Sequence, residues 1–167
     1  MDVSFPVKAS AKQLDLEAGS RTTNADEDVK FFSGTATYKK EFTTPADRKA
    51  ADKRLYLDRG DVQNLARVWL NGKDLGVLWK APYCVDITAA AMAGTNRLEV
   101  EVTNTWVNRL AGDAGKPQEQ RVTWAGSAGR GRPGEATAAG APQLLPAGLI
   151  CPVRVVAEVK TAAGIRS

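Results

Sequence analysis

The chain has 167 residues, enough for one domain with a real core; 43% are hydrophobic and 25% charged, an ordinary globular balance. Its 23 basic and 19 acidic residues are interspersed, and with a net charge of +4 and only Arg130 and Arg132 clustered, no nucleic-acid partner is expected. There is no histidine, which excludes Ser-His and Cys-His catalytic pairs and every His-ligated metal site, and two cysteines are too few for a structural zinc site.

In chain order, residues 1–30 form an irregular N-terminal segment. Its opening, MDVSFP, lacks the basic and apolar regions of a signal peptide, so the chain reads as cytosolic or as a fragment of a longer exported protein. No later apolar run approaches the ~18 residues of a membrane span, so no membrane partner is expected. The apolar pieces 3–7 and 14–16 are candidate edge strands. Residues 17–30 read as a polar surface loop. Its run Asn24-Ala25-Asp26-Glu27-Asp28 offers oxygen ligands but lacks the spacing and central Gly of an EF-hand. No cofactor is expected, although the composition leaves open a metal bound through oxygen ligands, as calcium is.

Residues 31–44 alternate as a strand. Phe32, Gly34, Ala36, Tyr38 and Phe42 fall on one face, with Tyr38 in the core; Thr35, Thr37, Lys39 and Glu41 fall on the other. Lys40 breaks the alternation and marks either a bulge or a barrel rim. Pro45 ends the strand, and 46–53 is a charged connection. Residues 55–57 form the next strand, followed by a loop at 58–64. Residues 65–70 then place Ala66, Val68 and Leu70 inward, Arg67 and Trp69 outward; Trp69 is expected to be covered by a loop. Asn71-Gly72 supplies the two positive φ values of a type I′ turn, so 74–79 returns as a hairpin.

Residues 82–87 make a short strand, 89–93 a helical turn and 94–96 a turn. Along 97–103, Leu98, Val100 and Val102 point in while Arg97, Glu99, Glu101 and Thr103 point out. Residues 104–148 form a long loop region rich in Gly, Ala and Pro, with a brief strand at 121–124; a loop of that length is functional or mobile. The last strand is 152–160, with Val153, Val155, Ala157 and Val159 on one face. Cys84 and Cys151 sit in apolar runs, and two buried thiols are expected rather than one disulfide. About eight strands without a sizeable helix predict an all-β protein: an antiparallel β-sandwich of jelly-roll type, one domain over 1–167.

Sugar recognition uses flat apolar faces for C–H stacking and amides or carboxylates for hydroxyls. Trp79, Tyr83, Asn104, Trp106, Asn108, Arg109 and Asp113 are of that kind. They follow neighbouring strands, which can bring them to one end of a sandwich as a site for a carbohydrate ligand. Each has a plainer role open to it. Trp106 can plug its loop onto the core, Asn104 can bond backbone to shape a turn, and Arg109 can pair with Asp113. Glycoside hydrolysis needs two carboxyls across a bond. Glu99 with Glu101, Asp58 with Asp61, and Asp113 with Glu119 lack supporting context, so no catalytic residue is expected and the isolated chain is read as non-enzymatic.

The runs FFSGTATY (31–38), ARVWLNGKDLG (66–76) and GTNRLEVEVTN (94–104) occur in this order. That order resembles the galactose-binding-like sugar-binding domain accompanying family 2 glycoside hydrolases. The chain is more similar still to the C-terminal β-sandwich of family 106 α-L-rhamnosidases, where NTWVNRLAGD (104–113) and LLPAGLICPV (144–153) also find counterparts. The similarity spans roughly residues 31–155. It implies a galactose-binding-domain-like jelly roll from a larger, secreted or periplasmic enzyme whose catalytic carboxylates lie in a separate barrel. In the family 2 group, the loop matching 104–113 can reach towards that barrel's active site. Three readings follow: a non-catalytic carbohydrate-binding module; a structural accessory domain completing the active site of an α-L-rhamnosidase-like barrel; and a small stand-alone glycoside hydrolase.

Overall fold

Period-two alternation builds two facing sheets. The structure, a computed structural model, describes residues 2–7, 10–15, 19–58, 60, 62–114, 116–123, 144–150 and 153–159. The strands are β1 (Asp2–Val7), β2 (Ser10–Asp15), β3 (Thr35–Thr44), β4 (Lys53–Asp58), β5 (Val62–Gln63), β6 (Leu65–Leu70), β7 (Lys73–Leu78), β8 (Cys84–Asp86), β9 (Gly94–Thr103), β10 (Gly148–Leu149) and β11 (Arg154–Val159). Two short helices, α1 (Glu27–Lys30) and α2 (Val107–Ala114), lie between them in the chain. A six-stranded sheet in the order β2-β1-β3-β9-β6-β7 accompanies a three-stranded sheet, β11-β4-β8, and a two-stranded ribbon, β10-β5. All described pairings are antiparallel. The fold is an all-β sandwich.

The inward set read from the alternation forms the core. Ala36 and Tyr38 of β3, Ala66, Val68 and Leu70 of β6, and Leu98, Val100 and Val102 of β9 join one buried cluster with Leu55 and Leu57 of β4. Each large aliphatic side chain so buried is worth about 1.5–3 kcal/mol. The β6–β7 turn has Asn71 at φ +52° and Gly72 at φ +78°, the conformation a type I′ turn requires. The Asn71 side chain also ties this hairpin to β9, donating to Asn96 Oδ1 at 2.8 Å and accepting from the Arg97 N–H at 2.8 Å.

Four expectations change. Residues 1–30 are not irregular throughout: β1 and β2 form a hairpin, and β1 joins β3 with Val3 opposite Tyr38. Val3 is buried, so the edge of β3 gains a covering strand. Segment 17–30 carries a 3-10 turn at Arg21–Thr23 and α1, and Asp26 Oδ1 spends itself accepting from the Asp28 N–H, capping α1. Lys40 marks no bulge, because β3 and β9 pair in unbroken register from Thr35–Thr103 to Thr44–Gly94; the shift lies between Arg67 and Trp69, where β6 meets β7. Within the 104–148 region, residues 107–114 are helical and 121–123 are not a strand. Cys84 is half-buried on β8, and Cys151, Trp124 and Asp61 lie outside the described residues. Among the described residues, no helix is long and apolar enough to cross a membrane.

Candidate functional site

Strand register decides which loops share an end of the sandwich. Leu78, Ala66, Val102 and Ala36 align across β7, β6, β9 and β3. The chain therefore leaves β7 at Trp79 and β9 at Asn104 from the same end of the sheet. At roughly 4.8 Å per strand, those exits are about 10 Å apart. The expected gathering of the candidate residues occurs at the level of their loops.

Most of them are turned inward to hold the loops in place. Asn104 is buried; its amide donates to the Phe32 carbonyl at 2.8 Å, and its Oδ1 accepts from the Gly34 N–H at 2.9 Å. It fastens the chain across more than seventy positions of sequence rather than shaping its own turn. Asn108 does the same for a second segment, donating to the Leu145 carbonyl and accepting from the Leu145 N–H, both at 2.8 Å. Tyr83 packs against the core cluster.

Arg109 and Asp113 meet at 2.6 Å, one helical turn apart, with side chains only 12% and 3% exposed. The other carboxylate oxygen of Asp113 accepts from the N–H groups of Val122 and Thr123 at 3.0 and 2.8 Å and from the Thr123 hydroxyl at 2.7 Å. The Arg109 guanidinium above all, then Thr123, holds the Asp113 carboxyl far below the usual carboxylate range against the opposing effect of burial. Ser33 accepts from the Arg109 N–H at 3.3 Å. Gly112 lets α2 approach Phe31, since a Cβ there would sit 2.5 Å from the ring. Ser33, Thr123 and Leu145 were not singled out from the sequence, because nothing local in it marks a bond to a residue far along the chain.

Helix α2 is thus amphipathic in the inverted sense. Its polar Asn108 and Asp113 are buried. Val107 and Leu110, with Trp106 just before the first turn, are exposed, Trp106 at 64%. At 3.6 residues per turn these three share a stripe about 100° wide. Leu145 and Val122, each bonded to a buried polar residue of α2, are exposed as well. Trp79, at the same end of the sheet, is 69% exposed, with Lys80 over its ring at 5.4 Å.

Glu99 pairs with Lys39 at 3.2 Å on the outer sheet face, and Asp113 is bound up in the clamp just described. Among the described residues, no group of three or more Asp, Glu, His or Cys is arranged to hold a metal ion.

The sequence profile of the family described as "Glycosyl hydrolase 2 galactose-binding domain-like" matches residues 12–141. The chain belongs to that family. A Formosa agariphila protein named "Putative beta-glucuronidase" is 44% identical over 119 residues, which are 70% of this chain and 10% of the relative. A solved rhamnosidase from Novosphingobium sp. PP1Y superposes with a TM-score of 0.75 at 36% identity, covering 94% of this chain and 14% of that one. A beta-glucuronidase from Ruminococcus gnavus shares the fold, with a TM-score of 0.52 at 18% identity over 62% of this chain and 19% of that one. The chain therefore spans between about a tenth and a fifth of the length of these proteins. It is a galactose-binding-like β-sandwich of the kind found in glycoside hydrolase-related proteins.

Proposed function

We propose that the chain is an accessory domain of a glycoside hydrolase whose α2 surface docks on the catalytic domain of the same polypeptide. The observation carrying this reading is the inverted helix: a clamp of buried polar side chains presents Trp106, Val107 and Leu110 outward. A helix facing only water would expose its polar face instead, and a contiguous apolar stripe is a surface awaiting a partner. The greater length of the relatives supports the presence of such a partner in the same chain. On this reading the parent works on glycans outside the cytoplasm, extracellular or periplasmic, and the domain itself supplies no catalytic carboxylate. Hydrogen exchange on the 167-residue chain, alone and within the longer polypeptide, tests it. Amides of 106–110 should gain protection in the longer chain, and Leu110→Asp should abolish that gain. Equal exchange in both contexts would sink the proposal.

Trp79 and Trp106 favour a second reading, in which the same end of the sandwich binds a carbohydrate directly. Both side chains are largely exposed, 69% and 64%, and an exposed indole can stack on a sugar ring. Asn104, Asn108, Arg109 and Asp113 are spent on the clamp, so hydroxyl recognition would fall to backbone groups. Calorimetry with galactose- and rhamnose-containing oligosaccharides separates the readings, since binding lost in Trp106→Ala on the isolated chain would favour the second.

A further inference from the structure

The geometry points to a glycan-binding groove on the outer face of the six-stranded sheet, built around Trp69 and suited to a neutral oligosaccharide. The proposal stands apart from whatever occupies the α2 surface. Glu99 lies five residues before Asn104 on the same chain, about 17 Å along an extended strand, so docking at 104–123 leaves the groove open.

Register creates the site. Asp2, Lys39, Glu99, Trp69 and Asp74 align side by side across β1, β3, β9, β6 and β7. Over this row lies a groove of about 470 Å³ lined by Lys39, Glu41, Trp69, Gly72, Arg97 and Glu99, within the range of small-molecule sites. Trp69 is the one aromatic side chain among the described residues of that lining. The Arg67 guanidinium, two positions earlier on the same sheet face, lies over its ring at 4.8 Å and is held by Asp74 at 2.6 Å. Arg67 is not part of the groove wall, so the guanidinium and the groove meet different parts of the indole. Trp69 is half-buried, with Arg67 over its ring and the groove against its side chain. Gly72 has nothing within 4 Å of where a Cβ would be, so the hairpin side of the groove is open to a longer chain.

The polar lining identifies the ligand class. Among the described residues of the lining, Lys39, Lys40 and Arg97 stand against Asp2, Glu41 and Glu99, so their charges balance. A phosphate or polyanion would meet three carboxylates. A neutral sugar meets acceptors and donors in equal supply, with the accessible part of the Trp69 indole for its C–H groups. Two ion pairs, Lys39–Glu99 at 3.2 Å and Arg97–Glu41 at 2.9 Å, currently satisfy the charges at the surface. Exposed pairs of this kind are worth little, so a carboxylate can turn to two neighbouring hydroxyls, and a guanidinium to a third, at small cost.

The test is an NMR titration of the ¹⁵N-labelled 167-residue chain with lactose, cellobiose and a rhamnose disaccharide, with D-galacturonic acid as the charged probe. Saturable shifts are expected at the Trp69 indole N–H and at the Lys39, Arg97 and Glu99 amides with at least one neutral probe at millimolar concentration. Trp69→Ala should weaken that binding about tenfold or more. The double variant Arg97→Ala with Glu99→Gln should do the same with an unchanged unfolding midpoint, which separates lost recognition from lost fold. Three results would overturn the groove: no shift with any probe, shifts centred on Trp79 or Trp106 with Trp69 silent, or binding of galacturonic acid alone. None of these bears on the hydrogen-exchange test of α2 docking.

Discussion

Two arginine–aspartate pairs in this domain close to the same 2.6 Å, yet they serve unlike surfaces. Arg109–Asp113 has side chains 12% and 3% exposed; Arg67–Asp74 has side chains 50% and 42% exposed. Around Asp113 every further hydrogen bond comes from the protein itself, from Val122 and Thr123. Asp74 also accepts from the Gly76 N–H at 2.9 Å, but from a position open to water. Distance alone therefore says little about what a pair contributes. The buried pair fixes the shape of the α2 platform, because removing either partner strands a charge away from water. The exposed pair braces Trp69 while staying able to rearrange.

The largest effect that can break this contrast is Asp113→Ala. It should cost about 2–4 kcal/mol in urea unfolding, since it leaves Arg109 and two backbone donors without their acceptor. Asn104→Ala comes next, at about 1–3 kcal/mol, with faster hydrogen exchange at Gly34, whose N–H loses its partner. A pH series sharpens the point. The folded pKa of Asp113 lies below its unfolded value, so its stabilisation is full above the unfolded carboxylate pKa of about 3.9 and is lost as pH falls from there towards the folded value. Unfolding midpoints between neutral and acid pH should thus fall less steeply in Asp113→Ala than in the parent chain. The smallest effect belongs to Asp74→Ala. Its unfolding midpoint should match the parent within measurement scatter, in low and high salt alike. A loss as large as that of Asp113→Ala would erase the distinction between the two surfaces.

How far the sequence was legible follows the same division. Strands β3, β6 and β9 could be read because their inward and outward residues repeat every second position over six or more residues. The β6–β7 turn could be read because Asn-Gly is chemically suited to positive φ. Helix α2 could not. Val107 and Gly112 are poor helix formers, and its apolar residues face outward, the reverse of the pattern used to find helices. Strands β1 and β2 were only suspected, since an edge strand is stabilised by the neighbour it covers and not by its own periodicity. For the candidate site, the type of residue was readable and its direction was not. Asn104, Asn108 and Arg109 look alike in sequence whether they face a sugar or, as here, the Phe32 carbonyl, the Leu145 backbone and Asp113.

By itself the amino-acid order determined the β-sandwich class, the core set from Ala36 to Val102 and the main hairpin. These rest on local alternation and turn chemistry, which need no knowledge of distant partners. Only the tertiary structure decided that the Asn104–Asp113 segment is clamped from within and that Trp106 remains outside. It alone aligned Lys39, Glu99 and Trp69 into one row. Those outcomes depend on register between strands far apart in the chain, and no single stretch of sequence carries that information.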